Sequence, residues 1–473
     1  MSTHPLEELI HPRSIAVIGA SASGRGGGFL SPLVLQGFKG ALYPVNPKYS
    51  EVMGLKAYAR VRDIHGPVDY VISSIPAAGV LELIADCAEK GVKIIHLFTA
   101  RFSETGRKDA AELEQEILRQ AKKANIRLIG PNCLGLYYPA EGIAFNEGMP
   151  KESGTVGLAS QSGQAVGEIT GFAAQRGICF SKAISYGNAI DFNECDYLDY
   201  FAQDPETKLI LMYIEGVRDG PRFLTSLRAA AAVKPVIILK GGRGEAGTRA
   251  TASHTASLAG SREIWNAVVN QAGAINAEDI EELVDIAVAF NFLPEMHRRN
   301  VGVVGGSGGS SVMAADLCEE AGLNVIPLPD VIRQELKRMN NAIWDWIGNP
   351  ADFSISMGDE SSADQVTKLM AAHPNFDFLI TFVSGPWRRG PEPFSLEKHL
   401  KRYSLNDMKD KPVVMVFQDR PRYLSNDDDM AEYDKIVAEM QARFIQDGYP
   451  MYPNIKRAAS AVSKMIGYYE KKG

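Results

Sequence analysis

Three segments of the chain repeat one plan: a short apolar run, a loop of small residues and then a helical pattern. The loops contain Gly19, Ser160 and Gly305, which lie 141 and 145 residues apart. An uninterrupted apolar run is typical of a strand buried on both faces of a parallel sheet. The small-residue turn leads into a helix, whose N-terminus favours anions. The repeat therefore predicts three α/β domains, each a doubly wound parallel sheet.

The length of 473 residues agrees with three domains at roughly 150 residues each. We place the domains at 1–140, 150–293 and 299–473. Strands alternating with helical patterns support a parallel sheet in each. Further strands are predicted at 41–45, 70–75, 93–98 and 127–129, at 180–185, 209–213 and 235–239, and at 324–326, 378–382 and 412–417.

Composition excludes several classes of protein. The chain has 50 Lys and Arg against 57 Asp and Glu, a net charge of −7, so a cationic surface for nucleic acid is not expected. Its 5 Cys contain no CxxC pair, which favours free thiols over a disulfide scaffold or a zinc ribbon. No apolar leader or long apolar run is visible, so we expect a cytoplasmic protein without a membrane partner.

The first loop, at residues 19–28, resembles a dinucleotide fingerprint, but its glycines are spaced more widely than GxGxxG. The acidic residue expected after the second strand is replaced by Val45-Asn-Pro-Lys48. A lysine there favours a phosphorylated ribose over a plain diol. The loop therefore indicates coenzyme A or NADP rather than NAD.

The segment Gly130-Pro-Asn-Cys-Leu-Gly135 follows another predicted strand. It puts the amide of Asn132 at the carboxyl edge of the sheet, where open α/β folds bind ligands. Cys133 is either a nucleophile or a small buried thiol, and the lack of a basic neighbour favours the thiol. In the third domain, Trp344 and Trp346 either line an acyl pocket or pack in a core, and packing is the commoner role.

His254 lies in a long loop of Gly, Ala, Ser and Thr. A histidine in such a loop can act as a base, a metal ligand or a phosphoryl acceptor. No second His or Cys lies at ligand spacing, so no metal site is predicted. Phosphoryl acceptance is favoured because the loops at 160–163 and 305–309 could bind the same phosphate through backbone N–H groups. Glu215, at a strand end of the same domain, could fix the tautomer of the imidazole.

Together these motifs resemble the nucleoside-diphosphate-forming acyl-CoA synthetases, the ADP-forming acetate–CoA ligase type within the succinyl-CoA synthetase superfamily. The resemblance runs from about residue 8 to about residue 465. It rests on Ile15–Ser21, Val45–Lys48, Gly130–Cys133, Ser160–Gly163, Ser253–Thr255 with Leu258–Gly260, and Gly348–Pro350.

The resemblance implies a Rossmann-like CoA-binding domain, a flavodoxin-like phosphohistidine domain and a second flavodoxin-like ligase domain. It implies that His254 is phosphorylated with Glu215 as its partner. The implied CoA contacts are Gly19, Ser21, Lys48, Pro76 and Asn132. The implied phosphate-binding residues are Ser160, Gln161, Ser162 and Gly163 in one loop, and Gly306, Ser307 and Gly308 in the other.

The implied reaction is acid + CoA + ATP ⇌ acyl-CoA + ADP + phosphate, through an acyl phosphate and phospho-His254. ATP, ADP and Mg²⁺ would bind an ATP-grasp module, for which the three predicted domains leave no room. The resemblance therefore implies an α subunit that needs an ATP-grasp β subunit, as α2β2. The alternatives are a non-catalytic CoA- or acyl-CoA-binding protein, and an NADP-dependent oxidoreductase. The intact set of His254, Glu215 and Ser160–Gly163 favours the enzyme.

Three departures from the family pattern are visible. Ala256 replaces a usual Gly in the histidine loop. The run Phe98-Thr-Ala-Arg-Phe-Ser-Glu104 replaces the usual Thr/Ser-Ser/Gly-Gly-Phe run, so the CoA phosphate contacts of the family are not carried over to it. The bulky segment at 341–346 favours a carboxylic acid larger than acetate, either aromatic or branched.

Overall fold

Buried apolar strands form the centre of each sheet. The computed structural model describes residues 4–21, 28–244, 247, 262–353, 360–383, 411–417 and 427–472. The chain divides into two units, Met1–Leu283 and Val284–Gly473. The three loops that repeat in the sequence follow β1, β9 and β14, which belong to three separate, mainly parallel sheets. The predicted α/β architecture is therefore confirmed.

The first sheet has the strand order β2-β1-β5-β6-β7, and all of its pairs are parallel. Every residue of the central strand β1 is buried, which is why its sequence is an unbroken apolar run after Ser14. A short hairpin of β3 and β4 follows β2. The strands are β1 Ser14–Ile18, β2 Ala41–Val45, β3 Glu51–Val52, β4 Leu55–Lys56, β5 Tyr70–Ser73, β6 Ile94–Leu97 and β7 Arg127–Ile129.

Helices connect these parallel strands, because a parallel pair needs a crossover between its strands. They are α1 Pro5–Leu9, α2 Leu30–Gln36, α3 Val80–Lys90 and α4 Lys108–Lys123. Short 3-10 turns lie at Val61–Asp63, Ala77–Gly79, Ser103–Thr105 and Pro139–Glu141.

The second sheet, in the same unit, has the order β13-β12-β11-β9-β10-β8. Only β8 is antiparallel, and it begins soon after β7, so the loop at 130–134 passes directly from the first sheet into the second. The strands are β8 Gly135–Tyr137, β9 Val156–Ser160, β10 Phe180–Ser185, β11 Leu209–Ile214, β12 Val236–Lys240 and β13 Ile275–Ala277. The helices are α5 Gly163–Gln175, α6 Glu194–Gln203, α7 Gly220–Val233, α8 Arg262–Ala272 and α9 Ile280–Phe292.

The third sheet has the order β14-β15-β16-β17 and lies in the second unit. Its strands are β14 Val301–Val304, β15 Phe378–Val383, β16 Val413–Phe417 and β17 Met451–Tyr452. Its helices are α10 Gly308–Glu320, α11 Asp330–Arg338, α12 Glu360–Ala372, α13 Asp427–Gln446 and α14 Ile455–Glu470.

The strand predicted at 324–326 is wrong. Only Asn324 forms an isolated bridge, with Asn300. Pro327 and Pro329 follow it, and because proline has no backbone N–H, neither residue can donate a hydrogen bond to a neighbouring strand. Instead, Asn349 occupies the edge of β14.

The side chain of Asn349 links β14 to the chain beside it. Its Oδ1 accepts the N–H of Val303 at 2.9 Å, and its Nδ2 donates to Val301 O at 3.0 Å and to Ile326 O at 2.7 Å. Ala351 then pairs with Val304 as a parallel bridge. The Gly348-Asn-Pro350 motif is thus a structural edge of this sheet.

In the part of the chain that the structure describes, no helix is long and apolar enough to cross a membrane.

Candidate active site

The carboxyl edge of the first sheet carries the loop after β1. Gly19 has φ +86°, and its N–H donates to Val45 O at 2.9 Å. A Cβ at this position would lie 2.8 Å from Ser74 Oγ, so only glycine fits the approach of the two loops. This junction of β1 with its neighbours β2 and β5 is the topological switch point of the sheet, where open α/β folds bind ligands.

Hydrogen bonds connect the loops along this edge in the order of the strands. They run from Asn46 Nδ2 to Ala20 O (2.8 Å), from Ser74 Oγ to Ile18 O (2.9 Å), from Thr99 Oγ1 to Ile75 O (2.7 Å), and from Asn132 N to Thr99 O (2.9 Å). Because each loop is bonded to the next, the loops at this edge form one connected surface.

The five residues predicted to contact CoA all belong to loops at this edge. Ser21 directly precedes a stretch, 22–27, outside the described residues. Lys48 is exposed, and its N–H donates to Asn46 Oδ1 at 3.0 Å. Pro76 is exposed after β5, and Asn132 is half-buried with φ +60°.

The loop after β9 turns into helix α5. Ser160 is buried, and its Oγ donates to Ser162 O at 2.7 Å. Ser162 is the N-cap and accepts the N–H of Ala165 at 3.2 Å. Gly163 is the first residue of the helix. This geometry presents backbone N–H groups and the positive end of the helix dipole, which suits a phosphate.

The side chain of Gln161 holds the neighbouring loop. Its Oε1 accepts the backbone N–H groups of Glu215 at 2.7 Å and Gly216 at 3.0 Å. The backbone N–H of Gln161 donates to Tyr213 O at 3.0 Å. Its side-chain oxygen is therefore committed to the loop of Glu215. The contribution of Gln161 to a phosphate site would come from its side-chain Nε2 group, the donor that these bonds leave over.

Two further residues fix Glu215, and sequence reasoning missed their roles. Lys240 Nζ donates to Glu215 O at 2.6 Å, and burial lowers the pKa of this lysine. The Tyr213 hydroxyl donates a hydrogen bond to the Glu215 carboxylate. Burial, with the charge and hydrogen bond of Glu215, raises the pKa of Tyr213 to about 12. The alternation of side chains along a strand, which puts Tyr213 and Glu215 on one face, could have indicated this pair.

A cavity of about 630 Å³ brings together residues predicted separately. Asn132 lines it with Gln161, Ser162, Gly163 and Glu215, so the end of the first sheet meets the phosphate loop of the second. The apolar side chains of Phe98, Cys133 and Leu134 also line it. The amide of Asn132, the N-terminus of α5 and the carboxylate of Glu215 therefore border the same cavity.

Contacts between the two sheets hold this cavity together. Leu134 N donates to Ser185 Oγ at 3.1 Å, and Asn188 N donates to Pro131 O at 3.0 Å. A Cβ on Gly163 would lie 3.2 Å from Leu134 Cγ. The start of α5 therefore lies directly against the loop that carries Asn132.

A second cavity of about 810 Å³ lies at the end of β12. Lys240, Gly241, Gly242 and Arg243 line it, and Glu168 lines both cavities. His254 itself lies outside the described residues, as does Ala256. Within the described residues, no group of three or more His, Cys, Asp or Glu side chains could hold a metal ion.

Cys133 is a buried thiol that donates to Leu97 O at 3.7 Å, and burial raises its pKa far above the usual range. This agrees with the thiol alternative over the nucleophile. All five cysteines are free, at Cys87, Cys133, Cys179, Cys195 and Cys318.

The other predicted phosphate loop lies in the second unit. Gly306 has φ +88°, and Ser307 is the N-cap of α10, with its N–H donating to Ser310 Oγ at 2.8 Å. Gly308 begins the helix. A Cβ on Gly308 would lie 3.3 Å from Asp352 Oδ2, so a carboxylate borders this loop.

The tryptophans of the second unit differ from each other. Trp344 packs against the hydrophobic core, with Lys337 Nζ 4.5 Å from its ring centroid. Trp346 is exposed. Asn341 is buried, and its Nδ2 donates to Gln365 Oε1 at 2.9 Å. Trp344 therefore follows the packing alternative, and this segment gives no direct support for a larger acid.

Family models match both halves of the first unit. A CoA binding domain matches residues 13–139, and a succinyl-CoA ligase like flavodoxin domain matches residues 153–290. The alpha subunit of acetate–CoA ligase [ADP-forming] II from Pyrococcus furiosus is 34% identical over 464 residues, which are 98% of this chain and 97% of that protein.

The acetate–CoA ligase [ADP-forming] of Methanocaldococcus jannaschii is 38% identical over 71% of this chain, and this match spans about half of that protein, 47%. Among solved structures, the dinucleotide forming acetyl-coenzyme A synthetase 1 of Ca. Korarchaeum cryptofilum, in complex with phosphate and ADP, superposes with a TM-score of 0.82. The two sequences are 31% identical, and the superposition covers 99% of this chain and 98% of the chain of that synthetase. The chain belongs to the family of the ADP-forming acetate–CoA ligases, and the alpha subunit from Pyrococcus matches it along almost its whole length.

Proposed function

We propose that the chain is the α subunit of an ADP-forming acyl-CoA synthetase. It interconverts carboxylic acid, CoA and ATP with acyl-CoA, ADP and phosphate, through an acyl phosphate and phospho-His254. The observation that carries the proposal is the cavity of about 630 Å³ in which Asn132, the loop Gln161–Gly163 and Glu215 meet. Thioester cleavage by phosphate needs the thiol end of CoA, beside Asn132, next to the phosphate loop, and the later transfer to His254 needs Glu215 at the same place.

CoA fits the carboxyl edge of the first sheet. The close approach at Gly19 leaves the backbone open to a pyrophosphate, and Lys48 is an exposed cation at the end of β2. Gly19, Ser21, Lys48, Pro76 and Asn132 would hold the coenzyme with its thiol directed into the cavity. CoA supplies the thiol, which is joined to the acyl group in the thioester and is released when the thioester is cleaved.

In the direction of ATP synthesis, a phosphate oxygen attacks the thioester carbonyl. The C–S bond breaks, and the thiolate leaves and takes up a proton, which gives an acyl phosphate. The N-terminus of α5, with Ser160, Ser162 and Gly163, stabilises the charge on the phosphate oxygens because its N–H groups are fixed in advance.

His254 then attacks phosphorus, and the P–O bond to the acyl group breaks with release of the carboxylate. Glu215 accepts a hydrogen bond from the other ring nitrogen and so holds the tautomer that attacks. Gln161, Tyr213 and Lys240 keep Glu215 in position. Gly306, Ser307 and Gly308 provide a second phosphate loop.

Transfer from phospho-His254 to ADP requires a nucleotide site. We place that site, with Mg²⁺, on an ATP-grasp β subunit, in an α2β2 assembly. The near-complete match to a protein named as an alpha subunit supports this division of the enzyme.

The test incubates the full chain with acyl-CoA and radiolabelled phosphate. We expect one acid-labile, base-stable label on His254, absent in His254→Ala and unchanged in His65→Ala, the removal of an exposed histidine of the same unit. Equal labelling of His254→Ala would refute the assignment. CoA binding without any label, over a panel of acyl-CoAs, would favour the non-catalytic CoA-binding alternative.

A further inference from the structure

Arg101 lies at the tip of the loop that follows β6, with its backbone in the left-handed region at φ +80°. This conformation is strained for a residue with a Cβ, which it brings close to a backbone carbonyl oxygen. Among the described non-glycine residues, Met53 and Ala189 also have positive φ, as do Asn125, Asn132 and Asn340, which tolerate the region because the short asparagine side chain bonds locally. Arginine has no such compensation, so the conformation is imposed by its surroundings.

Both ends of the loop are anchored. Thr99 O accepts the N–H of Asn132 at 2.9 Å on one side. On the other side, the Glu104 carboxylate accepts the N–H of Phe102 at 3.0 Å and Asn188 Nδ2 at 2.7 Å. The buried ring of Phe102 adds a third anchor. Strained residues persist where the surroundings hold them in this way, and they cluster at functional sites.

The guanidinium of Arg101 is exposed and makes no hydrogen bond or ion pair with any described residue. By contrast, Arg127 in β7 and Arg60 and Arg62, at the 3-10 turn before β5, are paired with carboxylates. A chain with a net charge of −7 therefore keeps an unpaired cation at the carboxyl edge of its first sheet.

The position suits a ligand that lies along this edge. β6 is separated from β1 by β5 alone, so the end of β6 lies about 10 Å from the loop of Gly19 at the usual strand spacing. A long ligand bound at the switch point would pass within reach of Arg101. Guanidinium groups bind phosphate oxygens in a bidentate manner.

We propose that Arg101 binds a phosphate group of coenzyme A, and that its strained conformation is retained for this contact. This inference rests on the proposed function, because it takes CoA as the ligand. Glycine at position 101 would relieve the strain but lose the cation. Stability and CoA affinity should therefore change in opposite directions.

The test measures CoA binding by calorimetry and thermal unfolding of the full chain. For Arg101→Gly we expect a melting temperature higher by about 2 °C and a Kd for CoA about tenfold weaker. Arg101→Gln keeps the strain and removes the charge, so it should lose the same affinity without the gain in melting temperature. Pantetheine, which has no phosphate, should bind all three proteins equally.

Asn125→Gly is the matched control. Asn125 is exposed with φ +55° and precedes β7, at the opposite edge of the sheet from the CoA loops, so its replacement should leave the Kd unchanged. Dephospho-CoA identifies the phosphate: a penalty that persists assigns the pyrophosphate, and one that disappears assigns the 3′-phosphate. If wild type binds CoA and Arg101→Gly binds it within twofold, the inference is overturned. If wild type does not bind CoA, the proposed function fails instead.

Discussion

The carboxylate of Glu215 depends on residues from three adjacent strands. The sheet register pairs Tyr213 with Ser160 and Ile214 with Lys240, so the groups that hold Glu215 come from β9, β11 and β12. A carboxylate that orients an imidazole must itself be fixed, since a misdirected hydrogen bond favours the wrong tautomer. The contribution of this support can be measured one residue at a time.

For Tyr213→Phe we expect about tenfold slower labelling of His254, which corresponds to the loss of one charge-assisted hydrogen bond of about 1.5 kcal/mol. The KM for acyl-CoA should stay the same, because the hydroxyl bonds Glu215 rather than substrate. Rapid-quench labelling measures the rate. Tyr469→Phe, in α14, serves as the control. A rise in KM with an unchanged rate would contradict a positioning role.

Phe98 has a different place in the same cavity. Its ring is 44% exposed and lines the cavity, and it packs edge-to-face on Phe29 with centroids 5.2 Å apart. An exposed aromatic ring next to the reacting groups offers an apolar contact to the substituent of a branched or aromatic acid. Acetate is too small to use that contact.

For Phe98→Ala we therefore expect kcat/KM to fall about tenfold for isobutyrate and phenylacetate, since an apolar contact of this size contributes about 1–3 kcal/mol. Acetate should change less than twofold. The assay uses the full chain together with the proposed β subunit and follows acyl-CoA formation. Acetate as the best substrate of wild type, or an equal loss for all acids, would contradict the assignment.

At the scale of elements, the sequence pattern is sufficient to predict the strands that are buried on both faces of a sheet. β1, β9 and β14 are largely apolar runs followed by small residues. Each is the first parallel strand of its sheet along the chain, because β8, which precedes β9, is antiparallel. Pattern analysis failed at 324–326 because a side chain 23 residues later, Asn349, supplies the hydrogen bonds that a strand would have made. Such a replacement depends on tertiary contact and leaves no local signal.

The candidate site shows the same limit. Motif reasoning found the loops that carry Gly19, Asn132 and Ser160, because Gly and small residues at strand ends have local conformational causes. It did not find the support of Glu215 by Lys240, which exists only through the register of β11 with β12. The sequence shows Arg101 only as part of a run that departs from the family pattern, because its positive φ depends on contacts with Glu104 and with the loop of Asn132, which leave no local signal.

The edge formed by Asn349 can be tested by substitution. Asn349→Ala removes three hydrogen bonds, to Val301, Val303 and Ile326. At about 1 kcal/mol each, the free energy of unfolding should fall by about 3 kcal/mol. Denaturant unfolding measures this change, with Asn375→Ala, the truncation of an exposed side chain, as the control. A loss below about 0.5 kcal/mol would show that the edge does not depend on Asn349.

At the scale of the whole molecule, one buried imidazole couples the first sheet to pH. His96 in β6 is 1% exposed, its Nε2 donates to Cys133 O at 3.0 Å, and Nδ1 has no partner among the described residues. Burial lowers the pKa of His96 to about 4 from its ordinary value of 6.5, and the hydrogen bond to Cys133 only partly offsets it. Folding therefore keeps this ring neutral in a range where the unfolded chain binds a proton.

The direction of the pH effect follows from this shift. Above pH 6.5 neither state binds a proton at His96, so its full contribution to stability is present there. As the pH falls from 6.5 to about 4, only the unfolded state gains the proton, and the folded state loses stability. A shift of this size corresponds to about 3 kcal/mol.

Comparison of His96→Leu with wild type should isolate this contribution. Whatever the difference in unfolding free energy at pH 7, we expect the variant to gain about 3 kcal/mol relative to wild type by pH 4, because leucine cannot take up the proton. Urea unfolding at a series of pH values gives the two curves. His65→Gln, the replacement of an exposed histidine of the same unit, serves as the control. Parallel curves for wild type and His96→Leu would mean that the buried ring does not set the acid stability of the first unit, and that other buried groups do.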